Sequence, residues 1–291
     1  MLLSMTGYGR AVQTYADRTI TVEIRSLNSK FTDLRFKIPQ NYKEKEPEMR
    51  KIISGTAQRG KVDVTIDVKS LEGDGEYALN IALFKKYHQE LRGLSDELGI
   101  ASSDMLQAIL RLPNVVAADE QSIEDAEWQV LQNVLHEALS HFTSFRTQEG
   151  IAMEKDCQQR VKNIATDITK LDPFEAERVV KLRERIQKKM EEYVGKENID
   201  ANRFEQEILY YLEKIDITEE KVRLAQHCKY FQEVLATEES LKGRKLSFIS
   251  QEMGREINTL GSKANSSEIQ RIVVRMKDEL EKIKEQVANS V

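Results

Sequence analysis

Between Ser250 and Lys263, two acids, two bases, two carboxamides and three hydroxyls fall within about four turns of one predicted helix. Ile249, Met253, Ile257 and Leu260 recur at steps of four, four and three, an apolar stripe. Gln251, Glu252, Arg255, Glu256 and Thr259 share the opposite side, bordered by Asn258 and Lys263. Glu252 and Glu256, at i,i+4, could both reach one hard divalent ion, Mg2+ or Mn2+, which takes oxygen ligands. Asp216, Glu219 and Glu220 could complete that site if their helix packs on this one. The competing reading is local. Glu252 and Arg255 at i,i+3 could simply pair on the surface, and Asp216 with Glu219 has the form of a helix cap with a capping box.

Four histidines are present, His88, His136, His141 and His227, and no two have compact zinc spacing. His227 follows Asp216, Glu219, Glu220 and Arg223 on one predicted helix. Its imidazole could act as a general acid or base near neutral pH; the alternative is a partly exposed helix histidine. There is no P-loop, G-x-G-x-x-G, G-x-S-x-G or H-E-x-x-H motif. Gly7 and Gly9 lie two apart on one side of a strand, which suits a bulge or close backbone packing better than ligand contact.

A second set of cations belongs to strands. Arg25 and Arg35 project opposite apolar faces, Arg10 follows the glycine pair, and Arg59 and Lys61 flank a turn. Guanidinium groups fit phosphate in a bidentate manner. Gathered on one sheet face they could read a nucleic-acid backbone; the alternative is a solubilising outer face.

Those residues need elements to position them. Ile20, Val22 and Ile24 alternate with Thr21, Glu23 and Arg25, the period of a half-buried strand. Leu34, Phe36 and Ile38 repeat the pattern until Pro39, and Val62 to Val68 gives the cleanest alternation in the chain. With a charged helix over 43–57, a turn at Gly73-Asp-Gly75 and a strand over 77–81, the order is β-β-β-α-β-β, with antiparallel pairing favoured. From Leu83 the chain reads as helical, broken once at Pro113-Asn114, with a new helix at Asp172-Pro173. Residues 175–193 carry mixed charge, as in a solvent-bridging helix. The helix after Asp216 is expected to bury Val222, Ala225, Cys228 or the Lys229 stem, Phe231 and Leu235. The last helix, from about Ser267, carries Ile269, Ile272, Val273, Met276, Leu280, Ile283 and Val287 at coiled-coil spacing, which demands a partner helix within this chain or from another copy.

The fold class expected is α+β: a mostly antiparallel sheet domain with helices, then a long-helix region with coiled-coil-like packing. Expected boundaries are 1–156, 157–205 for charged connecting helices, and 206–291 for the C-terminal helical domain. Only 4 prolines and 13 glycines in 291 residues argue against a loop-rich sandwich. No apolar run approaches the ~20 residues of a membrane span, and no secretory signal is evident. Two isolated cysteines, Cys157 and Cys228, suit buried thiols in a reducing cytoplasm. The net charge of −5 is uneven: residues 1–70 carry +5 and residues 94–149 carry −8. Such asymmetry suggests a polyanion partner or self-association.

Gln251-Glu-Met-x-Arg-Glu-x-Asn-Thr-Leu-x-Ser-Lys263 resembles the C-terminal signature of the YicC family of bacterial proteins. Ser4-Met-Thr-Gly-Tyr-Gly-Arg-Ala11, Val22-Glu-Ile-Arg-Ser-Leu-Asn28, Asp33-Leu-Arg-Phe36, Arg59-Gly-Lys61, and Asp216-Ile-Thr-Glu-Glu220 with Arg223 and His227 match in the same order. The resemblance implies a cytoplasmic, metal-dependent endoribonuclease that assembles as a homo-oligomer, a hexamer, and clasps RNA. Glu252, Glu256, Arg255 and His227 would then be catalytic. Glu252, Glu256, Asp216 and Glu220 would hold Mn2+ or Mg2+, and Arg10, Arg25, Arg35, Arg59, Lys61, Asn258 and Lys263 would bind RNA. Arg255 or Lys263 would face the transition-state charge. One departure stands out: Ser29-Lys30 follows Asn28 where the family usually has His-Arg, so an imidazole is missing there. The alternative function is a non-catalytic oligomeric scaffold or RNA-binding protein that recruits another nuclease.

Overall fold

The computed structural model describes residues 2–29, 33–57, 60–70, 77–99, 104–118, 123–195, 200–239 and 242–291. Lys30, Arg59 and the Gly73-Asp-Gly75 turn lie outside the described residues. The chain divides into two compact units, Thr6–Phe145 and Met1–Met5 with Arg146–Val291.

The first unit is built on a four-stranded sheet of β1 (Gly7–Tyr15), β2 (Arg18–Leu27), β3 (Asp33–Lys37) and β4 (Lys61–Ser70), in the order β1-β2-β4-β3. Ile20, Val22, Ile24, Val62, Val64 and Ile66 are buried, as the two-residue period requires. Each such side chain contributes about 1.5–3 kcal/mol when fully buried. The pairs β1–β2 and β2–β4 are antiparallel, whereas β3–β4 is parallel. Between β3 and β4 lie a 3-10 helix (Gln40–Lys45) and α1 (Glu46–Thr56), and that crossover returns the chain in the same direction. Met49 and Ile53 of α1 pack in the core. So do Trp128, Leu131, Leu135, Ala138 and Phe142 from the first half of α4 (Asp125–Thr169).

Gly9 is where β1 meets α4 most closely. A Cβ at this position would fall 2.1 Å from the Ala138 carbonyl oxygen and 2.6 Å from the Phe142 nitrogen. His141 Nδ1 donates to the Arg10 carbonyl at 2.8 Å, a second tie between the same elements. The glycine pair therefore serves close backbone packing.

The expected strand at 77–81 is β5 (Tyr77–Leu79), which pairs with β6 (Val116–Ala118) in a separate two-stranded sheet. Between them lie α2 (Ile81–Leu98) and α3 (Met105–Leu110). Asn80 caps α2 through a 3.0 Å bond from the Leu83 N–H. No residue of α2 is buried.

The second unit consists of the remainder of α4, α5 (Asp172–Val194), α6 (Ala201–Ile215), α7 (Thr218–Ala236), α8 (Gly243–Lys263) and α9 (Ser267–Ala288). All seven apolar residues of the expected α9 seam are buried, and they share one core with α4, α7 and α8. The partner the seam demands is thus supplied within the chain. In α7 the buried set is Leu224, Cys228, Phe231, Val234 and Leu235 with Glu220, while Val222 and Ala225 are exposed. Cys228, Phe231 and Leu235 are buried as expected, and Leu224, four residues before Cys228, continues their stripe in place of Val222 and Ala225. Cys157 and Cys228 are free and buried, and burial pushes each thiol up to about 12.

Buried cations close three helix C-termini in this unit. Arg178, 7% exposed, donates from Nη1 to the Lys263 and Ala264 carbonyls at 3.1 Å each, and from Nη2 to the Ile215 carbonyl at 2.7 Å. Lys242, fully buried, donates to the Leu235 and Thr237 carbonyls at the end of α7. Unpaired terminal carbonyls carry the negative end of the helix dipole, which these charges satisfy. Residues Leu2–Met5 also belong here. Ser4 bridges Ser290, Met5 N–H donates to the Asn289 carbonyl at 2.8 Å, and Val291 N–H donates to the Leu3 carbonyl at 2.9 Å. Leu2 is fully buried and its amide donates to Glu154 at 2.8 Å.

Candidate active site on the α7 and α8 helices

Helix α8 buries Ile249, Met253, Ile257 and Leu260, the stripe that periodicity predicts. Its polar side divides into two rows. Gln251, Arg255, Asn258 and Ser262 are exposed, whereas Glu252, Glu256, Thr259 and Lys263 are half-buried on the flank. At the C-terminal end of α8, Lys263 donates to Glu220 of α7 at 2.8 Å. At its N-terminal end, the Lys245 ammonium lies 5.5 Å from the Tyr230 ring of α7. The two helices are therefore antiparallel neighbours, and His227, half-buried, occupies the stretch of α7 between these ties.

The individual groups differ in commitment. Glu252 pairs with Arg255 at 2.7 Å on the surface, the local pairing the spacing allowed. Screening by water limits such an exposed pair to about 0–1 kcal/mol, so it holds neither partner firmly. Glu256 and His227 make no ion pair or hydrogen bond among the described residues. Glu220 is 6% exposed; its Oε1 accepts from Lys263, and its Oε2 is buried without a partner. Asp216 accepts the Thr218 N–H at 2.9 Å, and that bond holds its carboxyl below the usual range, with Lys263 and Arg178 adding to the effect. The expected reciprocal capping box is not formed, because Glu219 pairs with Arg223 one turn along.

Among the described residues no three of His, Cys, Asp and Glu come together as a metal-binding group. The donor set on α8 is therefore two carboxylates, Glu252 and Glu256, one turn apart. That number suits Mg2+ or Mn2+, which keep several waters and use one or two carboxylates alongside substrate phosphates. Asp216 and Glu220 would have to leave Thr218 and Lys263 to join it.

The strand cations lie on the outward face of the four-stranded sheet. Tyr8, Arg25, Asp63 and Arg35 stand in register across the four strands, and Arg10, Glu23, Thr65 and Lys37 form the next row. Arg25 pairs with Glu23 and lies 5.6 Å from the Tyr8 ring; Arg35 pairs with Asp33 at 3.0 Å. Arg10 and Lys61 have no carboxylate partner among the described residues. Acids and bases alternate across this face, so its positive charge is largely neutralised.

Sequence reading passed over Phe248, Tyr230, Arg244 and Lys245. Phe248 is 56% exposed and Tyr230 44% exposed, with the Arg244 guanidinium 5.7 Å from the Phe248 ring. The available signal was Phe248 standing out of phase with the apolar stripe, one turn after Arg244.

A model of the N-terminal region of YicC-like endoribonucleases matches residues 2–155, and one of their C-terminal region matches residues 171–290. The chain belongs to the YicC-like endoribonuclease family. It is 30% identical over 293 residues to the "Probable endoribonuclease YicC" of Clostridioides difficile (strain 630), and 30% identical over 290 residues to the protein of the same name from Haemophilus influenzae. Each alignment covers 99% of both chains. Among the described residues no helix is long and apolar enough to cross a membrane.

Proposed function

We propose that this chain is a divalent-metal-dependent endoribonuclease that cuts RNA on the α7–α8 face. Within the family assignment, the observation that carries this reading is Glu256, a half-buried carboxylate on the signature helix with no partner among the described residues. A Mn2+ or Mg2+ ion held by Glu252 and Glu256 would supply an activated water and charge stabilisation at the scissile phosphate. The unpartnered His227 imidazole exchanges a proton with the attacking or leaving oxygen. Arg255 releases Glu252 and turns its guanidinium to the phosphate. Lys263, held by Glu220, keeps positive charge at the end of the same row, and Asn258 offers hydrogen bonds to the strand. Arg10 and Lys61 bind RNA backbone on the exposed sheet face, joined by Arg25 and Arg35 when phosphate displaces Glu23 and Asp33. The free buried cysteines fit action in a reducing cytoplasm.

The test is cleavage of a labelled structured RNA by purified protein, with Mn2+ or with chelator. We expect cutting with metal alone, and its loss in Glu252→Gln/Glu256→Gln with binding retained. Cleavage that survives the double change would remove these residues from the reaction. No cleavage under either condition would leave the scaffold reading in its place.

We also propose self-association through α2. Ile81, Leu94 and Leu98 of α2, with Leu106 and Leu110 of α3, are exposed, although α2 has an amphipathic pattern that in a globular protein faces a partner. Leu94→Glu/Leu98→Glu is expected to lower the molar mass seen by light scattering. An unchanged mass would place the contact elsewhere.

A further inference from the structure

We propose that Tyr230 and Phe248 form a base-stacking platform for unpaired RNA, one helical turn before the Glu252–Glu256 row. The inference rests on the α7–α8 face being the one that handles RNA, and it adds the substrate class: a single-stranded segment with unstacked bases.

Both rings are exposed on helices that otherwise bury their large apolar groups, Val222 of α7 excepted. Leaving them in water forgoes part of the transfer energy that burial would give. Each ring has a cation against it, Lys245 at Tyr230 and Arg244 at Phe248. Arg244 and Lys245 are consecutive in the first turn of α8 and diverge around the helix, Arg244 to Phe248 on α8 itself and Lys245 to Tyr230 on α7, so both ring–cation pairs lie near the start of α8. Charge distinguishes this spot from the rest of the face. Arg223, Lys229 and Arg255 are paired with Glu219, Glu233 and Glu252 on their own helices. Arg244 and Lys245 have no carboxylate partner among the described residues. Unneutralised positive charge therefore sits where the aromatic surface is, the combination that holds single strands through phosphate attraction and base–ring stacking. A duplex keeps its base faces inside its own stack and cannot use such rings.

The rest of α8 continues the strand's path. Phe248 leads to Gln251, Arg255, Asn258 and Ser262 on the same exposed row, all able to hydrogen-bond. Phe248 and Glu252 are four residues apart, about 6 Å along the axis. A base stacked on Phe248 thus brings an adjoining phosphodiester beside Glu252, and the platform sets which linkage meets the carboxylates.

The experiment is binding in chelator, where no cutting occurs, of an unstructured oligoribonucleotide carrying 2-aminopurine, beside a perfect RNA duplex. For the single strand we expect binding with quenching of the base fluorescence. Phe248→Ala and Tyr230→Ala should each weaken binding about tenfold and relieve quenching. Phe248→Trp should keep both, duplex affinity should not change, and far-UV circular dichroism should show the helices intact. Arg244→Gln and Lys245→Gln should each lower the salt dependence by roughly one ion. Single-strand affinity unchanged in either alanine variant, an equal loss on duplex, or no single-strand binding by the unaltered protein would each overturn the platform. The Mn2+ assay keeps the two readings apart. Variants that bind normally beside an active parent sink the platform alone, and variants that lose binding beside an inactive parent sink the nuclease alone.

Discussion

Gly9→Val is expected to yield no stably folded sheet unit. Even the first added carbon would lie 2.1 Å from the Ala138 carbonyl oxygen and within 2.8 Å of the Phe142 backbone nitrogen and Cβ. Helix backbone cannot swing aside as a side-chain tip can, so β1 must lift away from α4. That movement opens the core beneath Ala11, Ile20 and Val22 and breaks the bond from His141 to the Arg10 carbonyl. Overpacking of a well-filled core costs about 1–3 kcal/mol when neighbours can give, and more where they cannot. We expect Gly9→Ala to cost at least about 3 kcal/mol on the same grounds. Gly55→Ala is the control, because nothing lies within 4 Å of its added carbon and it sits in helix α1. There the change should stabilise by about 0.5–1 kcal/mol. Urea unfolding of the three variants measures this, and a Gly9→Ala midpoint equal to that of the unaltered protein would falsify the close approach.

Arg178→Ala is expected to cost the helical unit about 3 kcal/mol or more, since hydrogen bonds to a charged group contribute about 1.5–3 kcal/mol each and three carbonyls lose their donor. Burial lowers the Arg178 pKa, and Glu175 and Asp216 partly restore it. The guanidinium stays charged because its ordinary value is so high. Arg178→Lys should recover little, because an ammonium lacks the planar fork that reaches the ends of α6 and α8 together. Thermal unfolding would show the loss as a drop of several degrees. A lysine variant as stable as the parent would reduce the staple to a simple charge effect.

Much of the architecture was legible. Alternation marked β2, β3 and β4, and spacing marked the α8 stripe and the α9 seam, because each depends on neighbours within one element. The direction of the β3–β4 pairing was not legible, because the two-residue period is the same in parallel and antiparallel strands. Three-residue β6 is too short to show a period. The α7 error arose because Val222 and Ala225 also stand at helical spacing, and only packing with α8 decides between them and Leu224. At the site, the Glu252–Arg255 pair followed from spacing alone. The commitment of Glu220 to Lys263, the freedom of Glu256 and the cations over Tyr230 and Phe248 all depend on how α7 lies against α8, which no local pattern records.

The clip joining Leu2–Met5 to residues 289–291 fixes an order of events during synthesis. Everything the sheet unit requires has been made once Phe145 emerges, and it can condense at once. The helical unit cannot close until the far strand of its clip arrives, roughly 7–30 seconds later at ordinary rates of translation. Through that interval Leu2 waits in water with its binding place unbuilt. A ribosome stalled a few codons before Asn289 would therefore release a chain with one finished half and one open half, a natural client for chaperones and proteases.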